Sequence, residues 1–329
     1  MTRPYRNPVH AGYFADPFVL PVDGGYLAVG TGRRVDGRPF EVLRSADLVR
    51  WEPAGGALEP LSPELADSVG GDYWAPEIAQ EHGRWWMYYS VGRGDTGHSL
   101  RVAVADDPVG PYVDCGVDLT PGERFAIDPH PFRDVDGTWY LFYARDVLEG
   151  PRVGTMLAVD VLDGMTRLAG RPSSVLTPSG EWQIFRRERP MYGAVYDWHT
   201  LEGPFVCRRQ DRYVLFYSGG NWEEPTYGVN WASADHPLGP WTEARGGEPL
   251  LRTVPGHVVG PGHNSLVVGP DGQDVLVYHA WDPASTARQL CIDPVAWTDD
   301  GPVVDGPTWE TTDLLRVSTG SSLIANPKA

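Results

Sequence analysis

The chain of 329 residues has an ordinary globular composition, with 41% hydrophobic and 22% charged residues. Its formal net charge of -17 argues against nucleic acid or an anionic membrane as a partner, since both attract basic surfaces and the sequence has no cluster of lysines and arginines. The N-terminal residues lack the apolar segment of a secretory signal, and no apolar run is long enough to span a bilayer. We therefore expect a cytoplasmic protein.

Short apolar or alternating runs bounded by turn residues dominate the sequence, and helical periodicity is nearly absent. The runs recur five times in one order: a first strand with a polar residue beside a proline or small residue, an aromatic second strand, and an apolar third strand. The predicted first strands are 15–20, 74–78, 127–132, 201–206 and 262–267. The predicted second strands are 26–29, 85–89, 139–143, 213–217 and 275–278. Third strands are predicted at 100–104, 156–159, 227–231 and 289–292.

The spacing of these units predicts the architecture. One residue in each second strand serves as an anchor: Tyr26, Trp86, Tyr140, Tyr213 and Val275. Successive anchors are 60, 54, 73 and 62 residues apart, and a four-stranded unit of this length is typical of propeller blades. We predict an all-β, five-bladed β-propeller that occupies residues 1–329 as a single domain. A β-sandwich or two β-domains would not explain why the same strand order returns five times.

Polar residues recur on the predicted first strands, which line the central axis of a propeller. The repeat position, or a near neighbour of it, holds Asp16, Glu77, Asp128, Glu202 and His263. An ionised carboxylate among apolar residues is costly unless it is paired or used. Any one of these acids is explained by a turn hydrogen bond, but several in one partly desolvated pocket would shift one another's pKa. The pattern therefore favours an acid–base site.

Five short motifs carry this pattern along the chain. They are Ala15-Asp16-Pro17-Phe18, Trp74-Ala75-Pro76-Glu77, Ile127-Asp128-Pro129, Glu202-Gly203-Pro204 and Gly260-Pro261-Gly262-His263-Asn264-Ser265. Their order and spacing resemble glycoside hydrolase family 43, the arabinofuranosidase, xylosidase and arabinanase group, over essentially the whole length. The resemblance implies that Asp16 is the general base, Glu202 the general acid, and Asp128 the residue that orients the acid and raises its pKa. An inverting glycosidase needs such a base and acid on opposite sides of the scissile bond.

Other residues are predicted to complete the site. We expect substrate contacts for Trp74, Asn221, Tyr227 and Arg288, with core packing as the alternative for Trp74 and an exposed strand position for Arg288. Structural hydrogen bonds are the expected role of Glu77. The resemblance implies calcium or a similar structural ion on the axis at His263, held directly or through water; a lone imidazole is a poor direct ligand for calcium. The chemistry itself is expected to need no cofactor.

The sequence therefore predicts an inverting glycoside hydrolase that acts on small oligosaccharides, most specifically an exo-acting α-L-arabinofuranosidase. A cytoplasmic enzyme favours exo action because polymers do not enter cells. A β-xylosidase or a bifunctional enzyme stays open, since both sugars are pentoses. A non-catalytic sugar-binding propeller and a retaining, fructan-hydrolysing propeller are further alternatives, because a fold alone does not decide function. The sequence leaves the oligomeric state open.

Overall fold

The computed structural model describes residues 3–209, 211–244 and 247–314. These residues form an all-β structure with one short helix among them. No helix in this described part combines the length and apolar character that crossing a membrane requires. The strands fall into five groups, each beginning with a first strand that is paired with a long aromatic second strand.

The groups follow one another in chain order. The short strand β1 (Pro4–Tyr5) precedes group 1, which contains β2 (Phe14–Val22), β3 (Gly25–Gly32), β4 (Glu41–Ser45) and β5 (Glu52–Gly56). Helix α1 (Pro63–Val69) leads to group 2, which contains β6 (Asp72–Glu81), β7 (Arg84–Arg93), β8 (Thr96–Ala105) and β9 (Val113–Asp118). Group 3 contains β10 (Ala126–Arg133), β11 (Trp139–Val147) and β12 (Gly154–Asp163), with β13 (Arg167–Leu168) and β14 (Ser173–Leu176) paired to β12.

The remaining strands complete the structure. A 3₁₀ turn (Glu181–Gln183) and β15 (Ile184–Met191) precede group 4, which contains β16 (Ala194–Arg209), β17 (Arg212–Gly219), β18 (Gly228–Ala234) and β19 (Thr242–Glu243). Group 5 contains β20 (Val259–Val268), β21 (Asp274–Trp281), β22 (Arg288–Thr298) and β23 (Gly301–Val304), and is followed by β24 (Thr312–Asp313). A short parallel pairing of β12 with β16 joins groups 3 and 4 into one sheet.

An insertion between groups 3 and 4 explains the longest interval between the predicted anchors. Strand β15 pairs antiparallel with the first half of β16, and the two form a hairpin that extends beyond the repeated unit. The strand order in the other groups follows the predicted one, with each first strand antiparallel to its second strand. The sequence repeat therefore predicted the groups, whereas this hairpin has no counterpart in the repeat.

The hydrophobic core consists of clusters between consecutive groups. Aromatic and aliphatic side chains on both faces of the second strands are buried, as expected for sheets covered on each side. One cluster joins group 5 to group 1, with Val277 and Ile292 packed against Leu43 and Tyr26. Group 1 thus packs against the last group as well as the second, and the first strands of groups 1 and 5 lie next to each other.

Each first strand contains a β-bulge at the same place in its pairing with the second strand. The first residue of every bulge has a positive φ; these residues are Asp16, Ala75, Asp128, Gly203 and His263, with φ of 49°, 45°, 60°, 56° and 49°. Left-handed backbone is unfavourable for residues other than glycine. Bulges commonly change the direction of a side chain beside a functional site. The structure therefore corrects the predicted repeat position: Glu202 lies one residue before its bulge residue and Glu77 two residues after.

Backbone N–H groups at the bulges bond to side chains of the preceding group. The N–H donors and their acceptors are Asp16 with His279 Nδ1 at 3.1 Å, Ala75 with Thr31 Oγ1 at 2.8 Å, Asp128 with Ser90 Oγ at 2.9 Å, and His263 with Ser218 Oγ at 2.7 Å. The first of these bonds runs from group 1 to group 5. These polar residues thereby hold neighbouring groups in register.

Residues near both ends of the described chain are tied to group 5. The Asn7 side chain donates to Ile292 O at 2.8 Å and accepts from Ile292 N at 2.9 Å, and β1 pairs with β24. The buried carboxylate of Asp293 accepts hydrogen bonds from the hydroxyls of Tyr5 and Tyr278, each at 2.7 Å. The N-terminal segment therefore fastens group 1 to group 5.

Candidate active site

The first strands bring the three predicted carboxylates to one cavity of about 300 Å³. Asp16 and Asp128 are buried, with 8% and 7% of their surface exposed, whereas Glu202 is half-buried. The residues that line this inner cavity are Tyr13, Asp16, Thr31, Asp72, Trp74, Asp95, Ile127, Asp128, Glu202, Trp222, His263 and Arg288. Its volume lies at the lower end of the range for ligand pockets, which suits a small ligand.

Asp16 has a cationic environment. Arg288 Nη1 donates to Asp16 Oδ1 at 3.1 Å, and the Tyr13 hydroxyl holds the other side of the guanidinium at 2.9 Å from Nη2. The guanidinium carbon of Arg288 also lies 4.5 Å from the centre of the Trp222 ring. Burial by itself would raise the pKa of Asp16, but Arg288, together with His263, His279 and Thr31, outweighs it and holds the pKa well below its usual range. Asp16 is therefore ionised, as a proton acceptor must be.

Glu202 has the opposite environment. Burial raises the pKa of Glu202 to about 7, and the negative charge of Asp16 adds to the rise. The Tyr227 hydroxyl donates to Glu202 Oε1 at 2.6 Å, and this bond, with a smaller effect of the Arg288 charge, opposes the rise by favouring the ionised form. Glu202 thus retains a proton at a pH where Asp16 has long lost its own. This is the property required of a proton donor that works near neutrality.

Asp128 lies against Glu202 and is coupled to it. Its Oδ2 accepts a hydrogen bond from Gly203 N at 2.9 Å. Burial, and then the charge of Glu202, raise the pKa of Asp128 well above its usual range. One oxygen of each carboxyl and one ring nitrogen of His263 lie within 4.8 Å of one another. Two carboxylates at such a distance resist joint ionisation, so the pair holds a proton between them.

His263 lies close to two of the carboxylates. Its Nδ1 lies 3.4 Å from Asp16 Oδ1 and 3.8 Å from Asp128 Oδ2, and burial lowers its pKa, so the ring is neutral. Calcium prefers six to eight oxygen ligands, and one imidazole with two carboxylates that share a proton does not fit that preference. Direct calcium ligation is therefore a poor fit, and an ion held through water stays a prediction.

A smaller outer cavity of about 60 Å³ adjoins the inner one. The two cavities share Trp74, Asp95, Glu202 and Trp222 as lining residues, so the Glu202 carboxyl lies at their junction. The other residues that line the outer cavity are Phe125, Asp146, Thr155, Phe185, Arg189, Met191, Trp198 and Thr200. A proton donor at this boundary can protonate a bond that joins two parts of a ligand, one part in each cavity.

The inserted hairpin supplies part of the outer wall. Arg189 on β15 is buried to all but 8% of its surface, and its Nη2 lies 2.7 Å from Asp95 Oδ2. The guanidinium carbon is 4.7 Å from the centre of the Phe185 ring and 5.4 Å from that of the Trp198 ring. Aromatic faces and a cation thus surround this side of Glu202.

The other predicted residues have different positions. Trp74 lines both cavities, and its ring stacks on His98 with 3.7 Å between ring centres. Tyr227 is buried behind Glu202 and contacts that carboxyl. Asn221 lines neither cavity; its Oδ1 accepts from Glu223 N at 3.0 Å and shapes the turn that carries Trp222.

Glu77 is absent from the lining of both cavities. Its Oε2 lies 2.6 Å from His130 Nδ1, and His130 Nε2 accepts from Val206 N at 2.9 Å. This chain of bonds links groups 2, 3 and 4. The contacts agree with the structural hydrogen bonds expected for Glu77.

Sequence reasoning missed several residues of the site. Tyr13 and Trp222 surround Arg288, and His279 holds the backbone of Asp16. The repeat offered a signal for His279, because it occupies the same position on its second strand as Ser90 and Ser218 do on theirs. Each of the three is paired with the residue just before the bulge, which is Gly262, Trp74 or Glu202. Arg189 lies in the insertion, so the repeat carried no signal for it.

Comparisons with known proteins agree with this geometry. The profile of glycosyl hydrolases family 43 matches residues 5–303. A β-D-galactofuranosidase of Aspergillus niger is 28% identical over 91% of this chain and 84% of its own length. An extracellular exo-α-(1→5)-L-arabinofuranosidase of Streptomyces avermitilis is 27% identical over 92% of this chain, which spans 65% of that relative.

A solved structure has the same fold. The crystal structure of a thermostable family-43 glycoside hydrolase is 30% identical in sequence and superposes with a TM-score of 0.80. The match covers 93% of this chain and 97% of that one. The likeness therefore extends over the strands that carry the inner cavity.

Proposed function

Because the chain belongs to glycosyl hydrolase family 43, and is therefore a glycosidase that acts on oligosaccharides, we propose that it is an inverting, exo-acting α-L-arabinofuranosidase. The observation that carries the proposal is the pair of carboxyls with opposite environments in one small cavity. Arg288 keeps Asp16 ionised, while burial keeps a proton on Glu202 up to a pH of about 7. Acid–base assignments in enzymes follow such differences in environment.

In the proposed mechanism the terminal sugar occupies the inner cavity and the rest of the oligosaccharide extends past Glu202. Asp16 accepts a proton from water as the water oxygen forms a bond to the anomeric carbon. Glu202 donates its proton to the glycosidic oxygen as the bond between that oxygen and the anomeric carbon breaks. Asp16 ends protonated and Glu202 ionised, and proton exchange with solvent restores both. No cofactor is needed for these steps.

Exo action is supported by the dimensions of the site. The inner cavity of about 300 Å³ lies at the lower end of the range for ligand pockets, which favours the end of a chain over a long run of sugar units. The carbonyl oxygen of Trp222 accepts from Trp281 Nε1 at 2.7 Å, and the two rings stack with centres 5.9 Å apart, so this wall is braced from behind. We propose that this cavity accepts the terminal residue of a chain.

We further propose that the five groups form a five-bladed β-propeller in a single domain. The proposal is supported by contacts that lead from each group to the next and from the last group back to the first. Hydrophobic clusters lie between consecutive groups and between groups 5 and 1, and the Asp16–His279 hydrogen bond joins the last group to the first. A cytoplasmic location remains part of the proposal, although the Streptomyces avermitilis relative is named as extracellular. Fractionation of the source cells tests that location.

The relatives raise a second candidate within the same chemistry. The Aspergillus niger relative is named a β-D-galactofuranosidase, and its sugar is also a furanose, with a two-carbon exocyclic chain where arabinofuranose has one carbon. β-Xylosidase and bifunctional activity stay as alternatives. A non-catalytic sugar-binding protein is disfavoured because all three carboxylates reach the cavity.

A hydrolysis screen tests the proposal. The purified protein is assayed with aryl α-L-arabinofuranoside, aryl β-D-galactofuranoside and aryl β-D-xyloside, with the Asp16→Asn variant as the control for contaminating activity. We expect the arabinofuranoside to have the highest kcat/KM. Proton NMR of the first product should show inverted anomeric configuration, and a retained anomer would mean that one carboxylate acts as a nucleophile. Greater activity on another sugar would replace the proposed specificity.

A further inference from the structure

The hydrogen bonds at the bulges have one exception. The acceptors Thr31, Ser90, Ser218 and His279 share one position: each is paired with the residue just before the bulge of its own group. In group 3 this position is Ala144, which is paired with Ile127 and is fully buried. Alanine offers no side-chain acceptor, so the next bulge N–H in the cycle, that of Gly203, needs another partner.

Asp128 supplies that partner. Its Oδ2 accepts from Gly203 N at 2.9 Å, while its own backbone N–H is already bonded to Ser90 Oγ at 2.9 Å. Both the backbone and the side chain of Asp128 are therefore fixed. Because Gly203 directly follows Glu202, the bond holds the Asp128 carboxylate beside the proposed proton donor.

We propose that Ala144 is a positioning residue: by lacking a side-chain acceptor, it leaves the Gly203 N–H to the Asp128 carboxylate and fixes that carboxylate against Glu202. The proposal rests on the proposed roles of Asp128 and Glu202. It adds a residue that contacts no substrate and that acts only through the Gly203 N–H.

The physical consequence concerns where the shared proton resides. An N–H donor favours the ionised form of the carboxylate that accepts it. The Gly203 N–H therefore shifts the shared negative charge toward Asp128 and the proton toward Glu202, against the burial and the Glu202 charge that raise the pKa of Asp128. A hydroxyl at position 144 would compete for the N–H, as Ser90 and Ser218 already accept equivalent donors. The proton would then shift toward Asp128 and away from Glu202.

The first test compares Ala144→Ser with Ala144→Cys. Serine introduces a good acceptor, whereas the thiol of cysteine is a weak one of at least equal size, so the pair separates hydrogen bonding from packing. We expect Ala144→Ser to move the alkaline limb of the kcat/KM profile down by about one pH unit, the size of one hydrogen bond to a charged group. Ala144→Cys should keep the wild-type profile. Identical profiles for the wild type and both folded variants would overturn the proposal.

A second measurement needs neither activity nor a folded Ala144 variant. The sequence contains two Glu-Gly pairs, Glu149-Gly150 and Glu202-Gly203, so combined carbonyl-¹³C glutamate and ¹⁵N glycine labelling selects two amide resonances by NMR. The Gly203 amide proton should move with pH as Asp128 changes charge, and the movement should shrink in Asp128→Asn, with Gly150 as the internal reference. An unchanged titration of Gly203 in Asp128→Asn would refute the bond. Because no substrate is present, this result does not depend on whether the enzyme is an arabinofuranosidase.

Discussion

The two sides of the inner cavity shift the pKa of a carboxyl group in opposite directions. On the side of groups 5 and 1, Asp16 faces the guanidinium of Arg288, and its backbone N–H is held by His279. On the side of groups 3 and 4, Glu202 faces Asp128 and receives one hydrogen bond from the neutral Tyr227 hydroxyl. Both carboxyls are shielded from water, Asp16 more than Glu202, and burial alone would raise the pKa of each.

The comparison shows that the immediate neighbours of two acids in one cavity can separate their pKa values. Arg288 is the largest of several groups that lower the pKa of Asp16 against the effect of burial, whereas at Glu202 the largest opposing effect is the hydrogen bond from Tyr227, and the Arg288 charge is a smaller one. The difference produces a base and an acid at the same pH from two similar side chains. Four substitutions test it, from the largest expected effect to the smallest.

Replacing Asp16 by asparagine removes the base and should have the largest effect. We expect kcat to fall by about 10²- to 10⁴-fold, the usual contribution of general base catalysis, while sugar binding persists. Steady-state kinetics and calorimetric titration with the sugar product measure the two quantities. Asp160→Asn is the matched control, since Asp160 is also buried but accepts hydrogen bonds from the backbone N–H groups of Val161, Gly170 and Arg171, outside the cavity lining. More than about a tenth of the activity in Asp16→Asn would exclude Asp16 as the base.

Replacing Glu202 by glutamine removes the acid and should give an effect that depends on the leaving group. Oligosaccharide hydrolysis should fall by about 10²-fold or more, because an alcohol leaves poorly without a proton. Hydrolysis of a dinitrophenyl glycoside should fall far less, because that phenolate departs unassisted. Kinetics on both substrates measure the contrast. Equal losses on the two substrates would contradict the assignment of Glu202 as proton donor.

Replacing Arg288 by glutamine should make the two sides of the cavity more alike. Without the guanidinium, burial dominates and the pKa of Asp16 rises, by about one to three units for the loss of an adjacent opposite charge. The base form is then lost at higher pH, so the acid limb of the kcat/KM profile should move up. Arg101→Gln is the control, because Arg101 is equally buried in an ion pair with Asp114 outside the cavity. An unmoved acid limb would show that Arg288 does not set the charge of Asp16.

Replacing Tyr227 by phenylalanine should have the smallest effect and sharpen the difference. The Tyr227 hydroxyl favours ionised Glu202, so its loss raises the pKa of Glu202 and moves the alkaline limb of the profile up, by less than about one unit for a neutral donor. Tyr217→Phe is the matched control, since the Tyr217 hydroxyl is bonded to Glu243 and lies outside the cavity lining. A downward movement in Tyr227→Phe would mean that the hydroxyl stabilises the protonated acid.

The sequence predicted the strand groups and the three carboxylates because both follow a repeat. Proline or a small residue beside Asp16 and Asp128 indicated the place where each first strand bends. The repeat did not predict the offset of Glu202, since the bulge residues Ala75 and Gly203 have little or no side chain and leave the register invisible in the sequence. A shift of one residue turns a side chain to the other face of a strand.

Other features depend on contacts between distant segments. Arg189 contacts Asp95 from an inserted hairpin, and the repeated unit contains no position that corresponds to Arg189. The ring of His263 is neutral because it is buried beside Asp16 and Asp128, and these three residues come from three different first strands. Such environments arise only when the groups pack, so residue type and spacing could not indicate them.

The tie between the N-terminal segment and group 5 has a consequence for biosynthesis. Chains fold from the N-terminus as they leave the ribosome, and Asp16 emerges well before the strands of group 5. Its cationic partner Arg288 and its backbone acceptor His279 are among the last described residues to be made. The environment of the proposed base is therefore complete only after group 5 has been made, and a chain that stops earlier carries Asp16 without its Arg288 partner. We therefore expect translation products that stop before group 5 to be inactive.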